Sequence, residues 1–204
     1  MKQFKADTLS KKQNYKLLSG SIIPRPIAFV TSQDKSGHLN ATPFSFFNIV
    51  NSAPPMIMIS TVRSEGERKD TSVNIEETEE FVVHITDETI VEEVVNKTAT
   101  PIERKRNELE RTNLTCIDSE LVSVPGIQQA KVRMECKLNR IIPLGDPQEG
   151  SDLIIGEVVM FHIDDDVYFE DSKIDAQALA TVSRLAGNDY ASLGETFTIV
   201  RPIE

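Results

Sequence analysis

The chain has 204 residues, 39% of them hydrophobic, which is enough to bury one good core and too little for two independent large domains. Its formal charge of −10 excludes a binder of phosphate backbones, which needs a broad excess of Lys and Arg, so nucleic acid and anionic membrane are poor partners. A small anionic ligand stays open, because Arg63, Arg68 and Lys69 gather in one stretch of an otherwise acidic chain. The opening MKQFKADTLSKKQNYKLL lacks the apolar run of a secretory leader, and no segment reaches the apolar length of a membrane span. The expectation is a cytoplasmic protein whose only cysteines, Cys116 and Cys136, are reduced thiols.

Residues 1–20 read as a helical arm, with Ser10 as N-cap of KKQNYKLLSG and Gly20 as its stop. Pro24 and Pro26 bracket Arg25, after which IAFVT (27–31) is strand-like and DKSG (34–37) supplies a hairpin turn. Pro43 within HLNATPFSFFNIV confines any strand there to an edge and predicts loop-like backbone around it. The short apolar run MIMIST behind Pro54 and Pro55 reads as a buried strand, and VRSEGERKD as a polar loop. DTSVNIEETEE predicts a helix capped by Asp70 or Thr71, and FVVHI (81–85) another strand. Ile90, Val91, Val94 and Val95 have the spacing of an amphipathic helix, and Pro101 predicts the start of a second through ERKRNELER. Two longer strands follow, AKVRMECKLNRIIPLG and DLIIGEVVMFHID, separated by DPQEGS. In the first, Ala130, Val132, Met134, Cys136 and Leu138 alternate with polar neighbours. Short strands joined by turns favour a barrel over a doubly wound sheet, and nothing marks a domain boundary within residues 1–204.

Three groups of residues have chemical potential. Thr31 with Asn40, Ala41, Thr42, Pro43, Phe44 and Ser45 offers small side chains and hydroxyls that let a planar ligand approach the backbone; composition alone favours plain turn and core. Ser60 and Thr61, followed by Arg68, Lys69 and DTSVNI, bring two adjacent cations to a helix start, which is how a phosphate is held. The spacing is not that of a P-loop, and an exposed charged loop before a capped helix fits equally well. Arg184 in VSRLAGNDY could clamp a phosphate or form a structural ion pair. His38, His84 and His162 are scattered, so no metal site is expected, and Asp164, Asp165 and Asp166 read as a solvated turn. No nucleophile is paired with a base, and no catalytic residue is assigned.

The blocks PRPIAFVTS, NATPFSFFNIV, PPMIMIST, RKDTSVNIEETEEFVVHI, LIIGEVV and VSRLAGNDY, in that order, resemble the flavin reductase-like, FMN-binding split-barrel family. The resemblance runs from about Tyr15 to Pro202. It implies a mainly β fold with some α: an antiparallel Greek-key split barrel of about six strands with flanking helices, usually a homodimer with the flavin near the subunit interface. By the same resemblance, Thr31, Asn40, Ala41, Thr42, Pro43 and Ser45 would border the isoalloxazine and ribityl chain of FMN. Ser60, Thr61, Arg68, Lys69 and Thr71 would meet the phosphate, with Asp70 and Asn74 fixing the loop and Arg184 near the cofactor or dimer seam. Many family reductases carry Gly-Asp-His where this chain has Gly150, Ser151 and Asp152; an exposed carboxylate there would repel NADH or NADPH. The implied function is an FMN-binding oxidoreductase of flavin reductase type. The alternative is a non-catalytic FMN-binding electron carrier or flavin store.

Overall fold

The apolar alternation of the long segments is realised as antiparallel pairing. The computed structural model of the chain describes residues 1–98, 108–200 and 202. Its strands are β1 (Arg25–Pro26), β2 (Ala28–Gln33), β3 (Leu39–Phe44), β4 (Phe47–Ser52), β5 (Pro55–Val62), β6 (Glu80–Ile85), β7 (Cys116–Ile117) and β8 (Gly126–Ile127). They continue with β9 (Val132–Leu144), β10 (Ser151–Ile163), β11 (Tyr168–Phe169), β12 (Lys173–Ile174), β13 (Val182–Arg184) and β14 (Tyr190–Ser192). One seven-stranded sheet has the order β3-β2-β6-β9-β10-β5-β4, and each of its pairs is antiparallel. Three hairpins, β2–β3, β4–β5 and β9–β10, are interrupted by β6, which crosses to lie between β2 and β9 in Greek-key fashion.

The two edge strands, β3 and β4, are consecutive in the chain with only Ser45 and Phe46 between them. A link that short holds opposite edges of the sheet together, so the sheet curls into a barrel. The edges do not hydrogen-bond to each other, and the barrel is split along that seam. Ser60 N–H donates to Phe46 O at 2.8 Å and pins the corner. Inside, Val30, Phe47, Ile59, Phe81, Cys136 and Ile154 come from six different strands and meet Ile75 of helix α2 (Asp70–Thr78) in one buried cluster. The sheet has seven strands where about six were expected. Pro43 lies within regular strand β3 and not in a loop; the edge position tolerates its missing N–H.

Helix α1 (Lys11–Ser21) begins with a capping box, Gln13 N–H donating to Ser10 Oγ at 3.3 Å and Ser10 N–H to Gln13 Oε1 at 2.9 Å. It runs one residue past Gly20. Buried Arg25 ties it to the barrel, donating to Ser19 O and Ile22 O at 2.6 Å each and to Leu185 O at 2.7 Å. On the outer face of β2, Phe29 packs with Ile90, Val94, Leu109 and Ile127. The expected amphipathic helix takes π-helical form over Glu93–Thr98, and the helix expected from Pro101 lies outside the described residues up to Glu108–Arg111, a 3-10 turn. Helix α3 (Ala176–Leu179) is capped by Asp175. Among the described residues, no helix is long and apolar enough to cross a membrane.

The glycine of LIIGEVV has a packing reason. A Cβ on Gly156 would stand 2.3 Å from Phe81 Cζ, and that ring is fully buried. Gly156→Ala is expected to destabilise the fold by about 1–3 kcal/mol through overpacking. Urea unfolding measures this, and an unchanged midpoint would mean that the ring has room to move.

Candidate functional site

Helix α2 enters the open end of the barrel between β3 and β5. Asn40 Nδ2 on β3 donates to Thr71 Oγ1 at 2.8 Å, and Thr61 Oγ1 on β5 lies 2.6 Å from Ser72 Oγ. Asn74 Nδ2 donates to Ser32 Oγ at 3.3 Å. These side chains are buried, so mutual bonds satisfy them and fix the helix start against both strands. The N-cap is Lys69, not Asp70 or Thr71 as the sequence predicts. Lys69 has no side-chain oxygen to cap the helix, and no side-chain cap bond is made. The opening turn therefore presents the positive end of the helix dipole. Asp70 is its first residue and lies close enough to Glu108 to help raise that carboxyl's pKa, after burial.

The loop that delivers α2 is held firmly. Arg63 N–H donates to Gly150 O and Gly66 N–H to Gln148 O, both at 2.9 Å, which lays the loop against the β9–β10 turn. Gly66 has φ +84°, and a Cβ there would meet Gln148 Oε1 at 2.7 Å. Below the loop, Asp152 is 1% exposed; it lies opposite Thr61 in the β10–β5 register and accepts from the Arg63 guanidinium and from Arg68 Nε at 2.7 Å. Arg68 NH1 continues the chain to Glu76 Oε2 at 2.5 Å. Burial pushes the Asp152 carboxyl up, but the two guanidiniums outweigh it and hold its pKa below the ordinary value. The two adjacent cations thus divide their roles. Arg68 is consumed in an internal ion-pair chain, while exposed Lys69 has no ion-pair or hydrogen-bond partner for its ammonium among the described residues. Nor is Asp152 an exposed carboxylate that would repel a nucleotide; two arginines neutralise it.

Towards the other end of β3, a cleft of about 230 Å³ is lined by Tyr15, Pro43, Ser45, Val95, Arg184 and Tyr190, with Ile27 and Phe44 behind them. An adjoining hollow of about 390 Å³ shares Val95 and Tyr190 with it. Arg184 forms no ion pair among the described residues; its guanidinium lies 4.5 Å from the Tyr190 ring centroid and donates to Gly187 O. Ser60, through its bond to Phe46 O, adjoins the Ser45 corner, and the next residue, Thr61, reaches α2. Strand β5 therefore joins the cleft to the helix mouth. Thr42 lies half-buried beside Asn40. Thr31 and Ala41 are used internally instead, Thr31 Oγ1 donating to Pro125 O at 2.7 Å and Ala41 N–H to Glu108 Oε2 at 3.0 Å.

Tyr15 and Tyr190 line the cleft without having been singled out, and Val95, read only as part of an amphipathic helix, lines it with them. The signal for the tyrosines was an aromatic among polar residues near each end of the chain, which does not by itself indicate a shared cleft. His84 is buried, with Nδ1 2.8 Å from Phe29 O and Nε2 accepting from Ile127 N–H at 2.9 Å; burial lowers its pKa to about 4. His162 Nε2 lies 2.6 Å from Oε1 of buried Glu135, which accepts backbone N–H bonds from Glu120, Leu121 and Val122. Neither histidine lines the cleft.

Removing the charge of Asp152 leaves two guanidiniums without their carboxylate. Asp152→Asn is expected to cost about 3–5 kcal/mol at neutral pH. A depressed folded pKa contributes stability above the unfolded carboxyl value of about 4 and loses it as pH falls through the folded value. The gap between variant and parent in urea unfolding should therefore narrow below about pH 4. A gap independent of pH would show that charge pairing is not the cause.

The chain resembles known proteins along most of its length. The family model for the flavin reductase like domain matches residues 19–178. YwrF of Bacillus subtilis (strain 168) is 52% identical over 98% of both chains. The crystal structure of nitrilotriacetate monooxygenase component B from Bacillus cereus superposes with TM-score 0.94 at 50% identity, covering 98% of each chain. That of 2-nitrobenzoate 2-nitroreductase NbaA from Pseudomonas fluorescens gives 0.88 at 30% identity, covering 98% of this chain and 96% of that one. With a split antiparallel barrel, a helix start wedged into its open end and a family match over residues 19–178, the chain belongs to the flavin reductase-like domain family.

Proposed function

We propose that this chain binds FMN and works as an oxidoreductase of the flavin reductase type, taking electrons from NADH or NADPH and passing them to an acceptor. The observation that carries the reading is the mouth of α2, a helix start without a side-chain cap beside the ammonium of Lys69, which has no partner among the described residues. An anionic phosphate fits that charge, and buried Asn40, Thr61 and Thr71 already hold the surrounding strands in place. From Asn40 in strand β3 to Ser45 just past its end the chain runs about 16 Å at the usual rise per residue, from the mouth to the cleft. That extent suits a ligand with a phosphate at one end and a planar ring at the other.

When bound, FMN supplies the electron-transfer chemistry. The residues' share is to bind and orient. Lys69 and the opening N–H groups of α2 would take the phosphate, Ser60 and Thr42 would lie along the connecting chain, and Pro43, Ser45 and Arg184 would flank the ring. Among the described residues, no carboxylate or histidine lines the cleft, and no acid or base is assigned. The adjoining hollow does have Glu88 and Glu92 on its rim.

The carrier or store reading loses its motivating feature, because the charge of Asp152 is neutralised internally. The relatives' names bring two kinds of acceptor into view, another component of a monooxygenase and a nitroaromatic compound. A homodimer with FMN near the interface is part of the same proposal.

The test is anaerobic absorbance spectroscopy of FMN-loaded protein, first with NADH and then with NADPH. The flavin band is expected to bleach with at least one of them. A band that persists with both would reject the reductase reading in favour of a carrier.

A further inference from the structure

The two edges of the split sheet are finished differently. Edge β3 is sealed: the Glu108 carboxylate accepts the Ala41 N–H, and Val94 and Leu109, from Glu93–Thr98 and Glu108–Arg111, share a buried cluster with Ala41. Among the described residues, edge β4 pairs only with β5, and beyond Phe47 each of its residues is exposed, Ile49 at 75% and Val50 at 47%. A bare edge carrying apolar side chains is a template for another strand. Beside it lies a groove of about 770 Å³ whose walls include Phe47, Ile49, Ile85, Met134, Phe161 and Ile174. The groove forms where β10 outruns β5, since β10 pairs with β5 only as far as Glu157.

The chain also carries a segment of matching character. After β14, Thr196-Phe197-Thr198-Ile199-Val200 is a run of β-branched and aromatic residues with Phe197 and Ile199 at strand spacing. Phe197 is 85% exposed, Ile199 78% and Val200 82%. Its backbone makes no hydrogen bond among the described residues, and it lines no part of its own groove. An unpaired apolar strand-former and a bare apolar edge on the same chain occur in equal number in any assembly of copies, so reciprocal exchange satisfies both and closes as a dimer.

We propose that Thr196–Val200 of one copy adds as a strand to β4 of a second copy, with Phe197 and Ile199 in the apolar groove. The inference rests on the homodimer reading above and specifies what joins the two copies. The arm leaves from β14, whose Tyr190 lines the cleft, so exchange also ties the cleft wall to the second copy.

The test uses two full-length proteins in a Cys116→Ser background, one with Phe197→Cys and one with Ile49→Cys. They are mixed and treated with a short bismaleimide. A cross-linked species of twice 22.8 kDa containing one of each is expected, in greater yield than from either alone. The pair Phe197→Asp and Ile199→Asp, made together in the parent, should weaken self-association at least about tenfold in sedimentation while leaving the circular dichroism unchanged. A parent dimer that gives no mixed cross-link, or that survives the paired Asp changes undiminished, overturns arm exchange and leaves the homodimer reading standing. A monomeric parent overturns both.

Discussion

The link Ser45–Phe46 is the constraint on which the rest of the structure depends. Two residues cannot span an open seven-stranded sheet, so edges β3 and β4 are brought together and the sheet encloses its apolar face. The open end beside the seam is where α2 enters, and Asn40, Thr61, Thr71 and Ser72 bind helix to strands there. Curling thus creates both the core and a rigid polar mouth.

Charge is distributed at that mouth by burial. In sequence, Arg63, Arg68 and Lys69 are equivalent cations in one loop. In the fold, Asp152 captures both arginines from below, and Glu76 takes the other side of Arg68. A buried carboxylate with two guanidinium partners has its charge satisfied internally, and the loop becomes a fixed platform. What remains outward is one ammonium beside a helix start. The platform gives rigidity, and Lys69 gives the attraction for an anion.

Strand order along the chain was legible because alternation and proline-bounded apolar runs report burial directly. The long pair β9 and β10 and the capped helix α1 follow from period and capping alone. The α2 cap was misplaced by one or two residues, since Asp70 and Thr71 are both good caps in isolation, whereas in the fold Thr71 accepts from Asn40 within the helix and Lys69 stands at the N-cap. For Pro43 the edge position was legible and the regular backbone was not, because the pairing that keeps β3 extended there is a property of the whole sheet. The candidate site was legible in composition but not in arrangement. The Thr31 hydroxyl and the Ala41 N–H have internal partners in Pro125 and Glu108, whose distance in sequence hides the pairing. Asp152 looks like an exposed substitution until its strand partner brings Arg63 and Arg68 over it.

The most direct measurement is the affinity of the parent and of Lys69→Ala for FMN and for riboflavin, followed by quenching of flavin fluorescence. A phosphate held at α2 makes FMN bind about tenfold to a hundredfold more tightly than riboflavin, the range for a hydrogen bond to a charged group, and Lys69→Ala removes most of that difference while leaving riboflavin unchanged. Equal affinities in the parent, or equal losses for both ligands in the variant, would contradict a phosphate site at the mouth of the barrel.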